Sequence, residues 1–247
     1  MERYDDFDSY GNCYVNIPLF ILKTYWQNKD ACFNTFILHV LAFGTATQQI
    51  MRLDYDEDGN SRYEALTESA EANLDLFLQF ISEANEYRQT SNLPKFDFDE
   101  KISDYEEWFH NNGLSEWTRR VKWVGITVTN LCKMILEHKR FVSGIDGRRS
   151  YPRMTQKWMI YLGLKSTIGQ KAYFECSWDC ILNRSMGFIS RLDYDSANLG
   201  DNDWTIPFRI KRKTKDKMIE RLKNEFGLNH NPIGYKSKKC RWSFKKP

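Results

Sequence analysis

Apolar side chains recur at steps of three and four residues along much of the chain, and that spacing commits it to helices that must each bury one face. Leu66, Ala70, Leu74, Phe77, Ile81 and Ala84 form the longest stripe, and the opposite side of that stretch is largely acidic. A second stripe runs through Phe33, Phe36, Ile37, Val40, Leu41 and Phe43, with Asp30 placed to cap it. Pro18 suits the first position of an earlier helix carrying Phe20, Ile21, Leu22, Tyr25 and Trp26, after a loose acidic start over residues 1–16. The turn-forming residues of DYDEDGNSR (54–62) and the connector SNLPKFDFDEK (91–101) separate these segments. Ser103 and Glu106 form a capping-box pattern for a short helix that Asn111, Asn112 and Gly113 would close. Ser115 can cap the next segment, to about Phe141, although the β-branched run from Val124 to Thr129 weighs against an unbroken helix.

The segment KRFVSGIDGRRSYPR (139–153) holds two glycines, one proline and five basic residues, and marks a boundary. The expected organisation is an acidic helical domain over 1–143, a basic linker over 144–153 and a basic domain over 154–247. For 247 residues one or two domains are expected, at roughly 150 residues per domain. In the later part, Thr155 is expected to cap a helix ending at Gly163, and Lys171 to Glu175 reads as extended. Ser177 caps a helix to Met186 that stops at Gly187, and a long polar loop covers 188–206. Thr214 caps a helix to Phe226 that stops at Gly227, and NPIGYKSKKCRWSF reads as a hairpin around a Lys-rich turn. RLDYD occurs twice, at 52–56 and 191–195, each time before a loop and a long helix. Five matching residues are weak evidence for duplication, and coincidence is the expected reading.

Net charge is only +3, but its distribution is uneven. From Asp54 to Glu107 sixteen acidic residues face four basic ones, a local −12, whereas Phe208 to Pro247 has fourteen basic against three acidic, a local +11. Between Trp108 and Gln170 the balance is eleven to three, or +8. Segregation of this kind speaks to partners more than to fold. It fits either contact with a polyanion or pairing of solvated faces within and between chains.

Several function classes are disfavoured. The longest apolar stretch, Ala31 to Phe43, is interrupted by Asn34 and His39 and is too short for a bilayer. The acidic N-terminus has no apolar core of a secretory signal, and six scattered cysteines suit thiols in a reducing compartment, so a soluble cytoplasmic protein is expected, or one inside a host cell or virion if phage-encoded. DYDEDG (54–59) imitates a calcium loop, but its twelfth position is Ala65, with Glu64 one place early. Cys176 and Cys180 lack a second Cys/His pair at finger spacing, His230 and Cys240 being the only later candidates, so no metal and no cofactor are expected. His39 and His138 sit in apolar patterns, and His110 and His230 have no evident nucleophile partner. With no phosphate-binding glycine loop and no nucleophile elbow, an enzyme is not expected.

The segment 214–226 carries the most specific signal. Met218, Ile219, Leu222 and Phe226 share one helical face, and rotation by about 100° per residue sets Lys213, Lys217, Glu220 and Asn224 opposite them. Arg212, Lys215 and Arg221 flank that outer face, and Lys236, Lys238, Lys239 and Arg241 lie around the hairpin tip. Arg148, Arg149 and Arg153 add a basic linker. Lysine and arginine read guanine, asparagine reads adenine and glutamate accepts from cytosine in the major groove. The alternative is an ordinary amphipathic surface helix with a basic tail.

The elements SWDCILNRSMGF, KRKTKDKMIERLKNEFGL and NPIGYKSKKCRWSF together resemble winged-helix, helix-turn-helix-type DNA-binding domains of mobile-element and replication-associated proteins. The resemblance covers about the last 40% of the chain and departs from the pattern in the long 188–206 loop. It implies a mainly α protein with a helical N-terminal domain and a winged-helix-like C-terminal domain bearing a small β-hairpin. The function it implies is non-enzymatic binding of duplex DNA, in regulation or replication of a mobile element. The alternative is a structural or assembly protein, such as a phage-particle component. Its acidic 54–107 region would then dock a protein partner or the basic end of another copy as a homo-oligomer.

Overall fold

The computed structural model describes residues 14–27, 33–120, 123–143, 151–169, 171–188, 212–234 and 239–244. The fold is mainly helical, with small antiparallel sheets. It divides into two compact units whose chain segments alternate: Met1–Ile17, Cys32–Val121 and Gly125–Ile145 form the first, and Pro18–Ala31, Lys122–Val124 and Asp146–Pro247 the second. The segment after Pro18 therefore groups with the C-terminal part of the chain.

In the first unit, helix α2 (Phe33–Ala46) has twelve of its fourteen residues buried, including Asn34 and Thr35. A helix apolar all round must be surrounded, and α4 (Leu74–Thr90), α5 (Phe98–Arg120) and α6 (Val128–Val142) all pack on it. The buried polar groups on α2 are bonded, as burial requires. Arg88 of α4 donates to Thr35 Oγ1 at 2.6 Å and to the Pro94 carbonyl at 2.7 Å. Strand β1 (Tyr14–Pro18) pairs with β4 (Trp123–Thr127). Val15 and Ile17 of β1 point inward, and the Gln49 amide bonds both the N–H and the C=O of Asn16, at 2.7 and 3.1 Å, as a neighbouring strand would.

Several boundaries correct the sequence reading. Residues 14–18 are strand, not a loose start, and helix begins only with the 3-10 turn Leu19–Leu22 that leads into α1 (Lys23–Gln27). The 54–62 turn is the tip of a hairpin of β2 (Met51–Tyr55) and β3 (Ser61–Ala65), in register from Met51↔Ala65 to Tyr55↔Ser61. The Asp56 carboxylate accepts from the N–H and the side-chain amide of Asn60 and from the N–H of Asp58, and these bonds, Asn60 foremost, hold its pKa below the ordinary value. The stripe from Leu66 is not one helix. Thr67 caps the short α3 (Glu68–Glu71), α4 starts at Leu74, and Phe77, Phe80, Ala84 and Arg88 are its buried line.

Ser103 does not open a short helix, and residues 111–113 do not close one: α5 is continuous over 23 residues. Asp97 is the residue that caps it, accepting from Glu100 N at 3.1 Å, while Ser103 Oγ donates within the helix to the Asp99 carbonyl. The segment from Ser115 to Phe141 is broken by β4, where the β-branched run alternates between buried and half-buried positions. Thr127 caps α6 by accepting from Asn130 N at 3.1 Å.

In the second unit, α7 (Tyr151–Ile168) runs through both Thr155 and Gly163, the two residues expected to bound it. Thr155 is buried and shares a 2.7 Å hydrogen bond with the Tyr25 hydroxyl. Gly163 lies where α8 (Trp178–Ser185) crosses α7, and an added Cβ would stand 2.7 Å from the Ser185 nitrogen. Helix α8 follows the sequence pattern: Ser177 accepts from Cys180 N, and Gly187 ends it at φ +86°. The extended stretch becomes β5 (Phe174–Ser177), which pairs antiparallel with β7 (Lys239–Phe244), and β7 pairs antiparallel with β6 (Leu228–Pro232). The sheet order is β5-β7-β6. The long loop, the second RLDYD and Arg148 and Arg149 lie outside the described residues. Among the described residues no helix is long and apolar enough to cross a membrane.

Two predictions follow from this packing. Gly163→Ala should destabilise by about 1–3 kcal/mol in urea unfolding, because overpacking against backbone outweighs the gain of about 1 kcal/mol from helix propensity. Burial lowers the pKa of His39 and of His138 to about 4, with Lys101 and Arg88 adding to the effect at His39. Unfolding releases both to the ordinary value near 6.5. Their stability is thus fully present above about pH 6.5 and is lost as pH falls toward 4, on the order of 3 kcal/mol each. The melting temperature should drop across that window, and His138→Gln should make the acid limb shallower.

Candidate nucleic-acid interface

Helix α9 (Arg212–Phe226) is held from below by apolar residues at helical spacing. Met218, Ile219 and Leu222 are buried, and Phe226 stacks on Tyr161 of α7 at 4.0 Å between ring centroids. A buried lysine fixes its last turn: Lys157 of α7 is 4% exposed, sits 5.0 Å from the Trp158 ring and 5.8 Å from the Phe226 ring, and pairs with Glu225 at 2.6 Å. Gly227 then leaves the helix at φ +65°, a conformation that a side chain disfavours, and the chain enters β6.

The outer face of α9 carries Lys217, Glu220, Arg221 and Asn224, all exposed. None of the four makes a side-chain hydrogen bond or ion pair among the described residues. Asp216 and Lys223 stand at its edges. Excluding the paired Glu225, the exposed charges on the described side chains are Lys217, Arg221 and Lys223 against Asp216 and Glu220, so the face is mixed rather than uniformly basic. Arg212 and Lys213 are in the first turn, and Arg153 is in the first turn of α7, but the side chains of all three lie outside the described residues. Lys215 turns inward instead: it is half-buried with its Nζ 5.4 Å from the Trp178 ring.

Lys236 and Lys238 fall outside the described residues, while Lys239 begins β7 and is exposed. Arg241 is not available as an isolated cation. Its guanidinium donates from Nε and Nη2 to Glu175 Oε1, at 3.0 and 2.8 Å, and lies 4.3 Å from the Tyr173 ring centroid. Glu175 holds its pKa above the ordinary value. Register explains the pairing, since Glu175 and Arg241 are direct cross-strand partners.

The inner face of the same sheet holds features that linear reading missed. Trp242 is fully buried, donates from Nε1 to the Cys176 carbonyl at 3.1 Å, and stands 5.8 Å from Trp178 and 4.4 Å from His230. Trp178 Nε1 and His230 Nε2 are buried without a hydrogen-bond partner among the described residues. Burial, followed by the charges of Lys223 and Lys215, lowers the His230 pKa. The only sequence signal for this cluster is aromatic residues at alternate positions of short extended runs. Among the described residues no group of three or more His, Cys, Asp or Glu is placed to hold a metal ion. No protein-family model, no curated protein and no solved structure matches the chain.

The anchoring of α9 separates its two faces experimentally. Leu222→Ala should cost about 2–5 kcal/mol by leaving a cavity, whereas Lys217→Ala and Asn224→Ala should change stability by less than about 0.5 kcal/mol. Chemical denaturation of the three variants measures this, and the reverse ranking would invert the assigned face.

Proposed function

We propose that the second unit binds duplex DNA without catalysing a reaction, as a winged-helix-like module in which α9 enters the major groove and the β6–β7 hairpin grips phosphate. The observation that carries this reading is the outward set Lys217, Glu220, Arg221 and Asn224 on a helix whose other face is locked into the core. The element order supports it. Among the described residues helix α7, strand β5, helix α8, helix α9 and the β6–β7 hairpin come in that order, and the strand between the first two helices pairs with the last strand. A helix followed by a basic hairpin is the order of a winged helix, in which the helix reads and the hairpin grips phosphate. Base readout would fall to the outward residues of α9, and Lys239 with the neighbouring Lys236 and Lys238 would supply phosphate contacts. A role in regulation or replication of a mobile element is the biological setting this reading favours.

The acidic residues of the first unit favour a second reading, in which they dock the basic end of another copy. Tyr55, Asp56, Glu57, Asp58 and Gly59 at the β2–β3 tip are all exposed. Mass measurement in low and high salt distinguishes the readings, because head-to-tail pairing of opposite charge builds large salt-sensitive species, while the DNA-binding reading expects a small monomer or dimer.

Binding of duplex DNA by the full chain should weaken on the order of a thousandfold between about 50 and 200 mM salt if six or more phosphate contacts form. Lys239→Ala should weaken all sequences alike and lower the salt slope by about one. Asn224→Ala should relax preference at one base pair and cost about 1–3 kcal/mol there. No binding at low salt, or binding indifferent to Lys217, Arg221 and Asn224 together, would overturn the proposal.

A further inference from the structure

Helices α4 and α6 pack on each other in the first unit, and between them lies an open cleft of about 250 Å³. Its α4 wall is Phe80, Ala84 and Tyr87, which helical spacing sets on one face. Its α6 wall is His138 and Val142, one turn apart. Phe80, Ala84 and His138 are buried and form the floor, Tyr87 is half-buried, and Val142, 44% exposed, stands at the mouth. Ala84 lies between two aromatic residues on its face and contributes only a methyl group. The space that a larger side chain would take is left open.

The floor is aromatic and uncharged. The His138 ring meets the Phe80 ring edge-on at 5.8 Å and 81°, and the Tyr87 ring at 5.9 Å and 87°. Burial brings the His138 pKa down to about 4, so the imidazole is neutral at neutral pH. The charges lie at the mouth and cancel there: Lys139 Nζ pairs with Glu83 Oε2 at 3.1 Å, both side chains being partly exposed. A charged ligand would have to break that pair to gain a counter-ion, so the rim favours an uncharged one. Two hydroxyl-bearing residues complete the lining. Ser143 Oγ donates to the Arg140 carbonyl at 3.0 Å and keeps lone pairs for an incoming donor. The Tyr87 hydroxyl has no hydrogen-bond partner among the described residues. Size narrows the occupant further. An apolar cavity of about 150 Å³ takes a benzene ring, and the larger volume here leaves room for a second, fused ring.

We propose that this cleft binds a small uncharged aromatic molecule of indole size that carries one N–H or O–H donor. Its ring packs against Phe80, Tyr87 and the neutral His138 ring, edge-to-face contacts of the kind already present among them. Its donor is met by a hydroxyl oxygen of Ser143 or Tyr87 at the open side.

Indole itself, titrated into the full-length protein at neutral pH, tests this by proton NMR and calorimetry. The chain has four histidines. The imidazole signal that disappears in His138→Gln should move with indole and reach a plateau, shifted by the ring current of the ligand, while the His39, His110 and His230 signals stay in place. Calorimetry should give one site. Val142→Trp sets a bulky ring at the mouth and should weaken binding about tenfold or more, equivalent to about 1.4 kcal/mol. Leu136→Trp, at a similarly exposed position of α6 outside the lining, should leave it unchanged. Indole-3-acetate and tryptamine, one anionic and one cationic, should each bind about tenfold more weakly than indole. If Val142→Trp does not fold, the histidine signals and the two charged analogues decide with the wild-type protein. A linear, unsaturable response, a shift at another histidine instead of His138, tighter binding of either charged analogue, or indifference to a folded Val142→Trp would overturn the proposal. The cleft lies wholly within the first unit, so these readouts are separate from DNA binding by the second.

Discussion

Burial of Trp242 organises the second unit. Its indole sits on the central strand, so both neighbouring strands must be present to cover it, and its N–H is bonded to the Cys176 carbonyl. A buried indole without a partner for its N–H would cost about 1–3 kcal/mol, which makes the β5–β7 register part of the core rather than an edge decoration. That register sets Glu175 against Arg241 on the outer face and Cys176 against Cys240 on the inner face. One constraint thus fixes an ion pair exposed to solvent and two thiols shielded from it. Helix α9 depends on the same sheet, since Gly227 directs the chain from the helix straight into β6.

Helices whose signals were local could be read from the sequence. The stripe of α2, the Ser177 cap and Gly187 stop of α8, and the buried line of α9 needed only spacing and terminal residues. Strands β1 and β4 were harder: each offers only two buried alternations, too few to tell from the end of a helix. Gly163 misled because close packing against the Ser185 backbone, not termination, is its reason for being glycine. Likewise Ser103 misled as the start of a short helix, because the true start at Asp97 depends on the tertiary fixing of the preceding connector, where Asn85 bonds both the N–H and C=O of Phe96.

The outward face of α9 follows from rotation alone, because Met218, Ile219 and Leu222 define its opposite. The state of the basic residues does not. Arg241 is neutralised by Glu175, and Lys215 is drawn toward Trp178; both partners are far away in sequence. Counting lysines and arginines therefore overstates the field this unit presents, and a face mixing cations with Asp216, Glu220 and an amide is better matched to discrimination among partners than to indiscriminate attraction.

The alternation of segments between the two units limits how the molecule can be divided. The stretch Pro18–Ala31 belongs with the C-terminal part, where Tyr25 bonds Thr155 and the Leu19 carbonyl lies against Gly187. A single cut in the 144–153 region would strip the later fragment of these contacts, leaving Thr155 without its hydroxyl partner and baring the surface around Gly187. The later fragment of such a cut would lack two of the three segments of its own unit, so a fusion at that point would carry that unit incomplete. Lineages that shuffle such parts would have to carry the early segment along, or replace it.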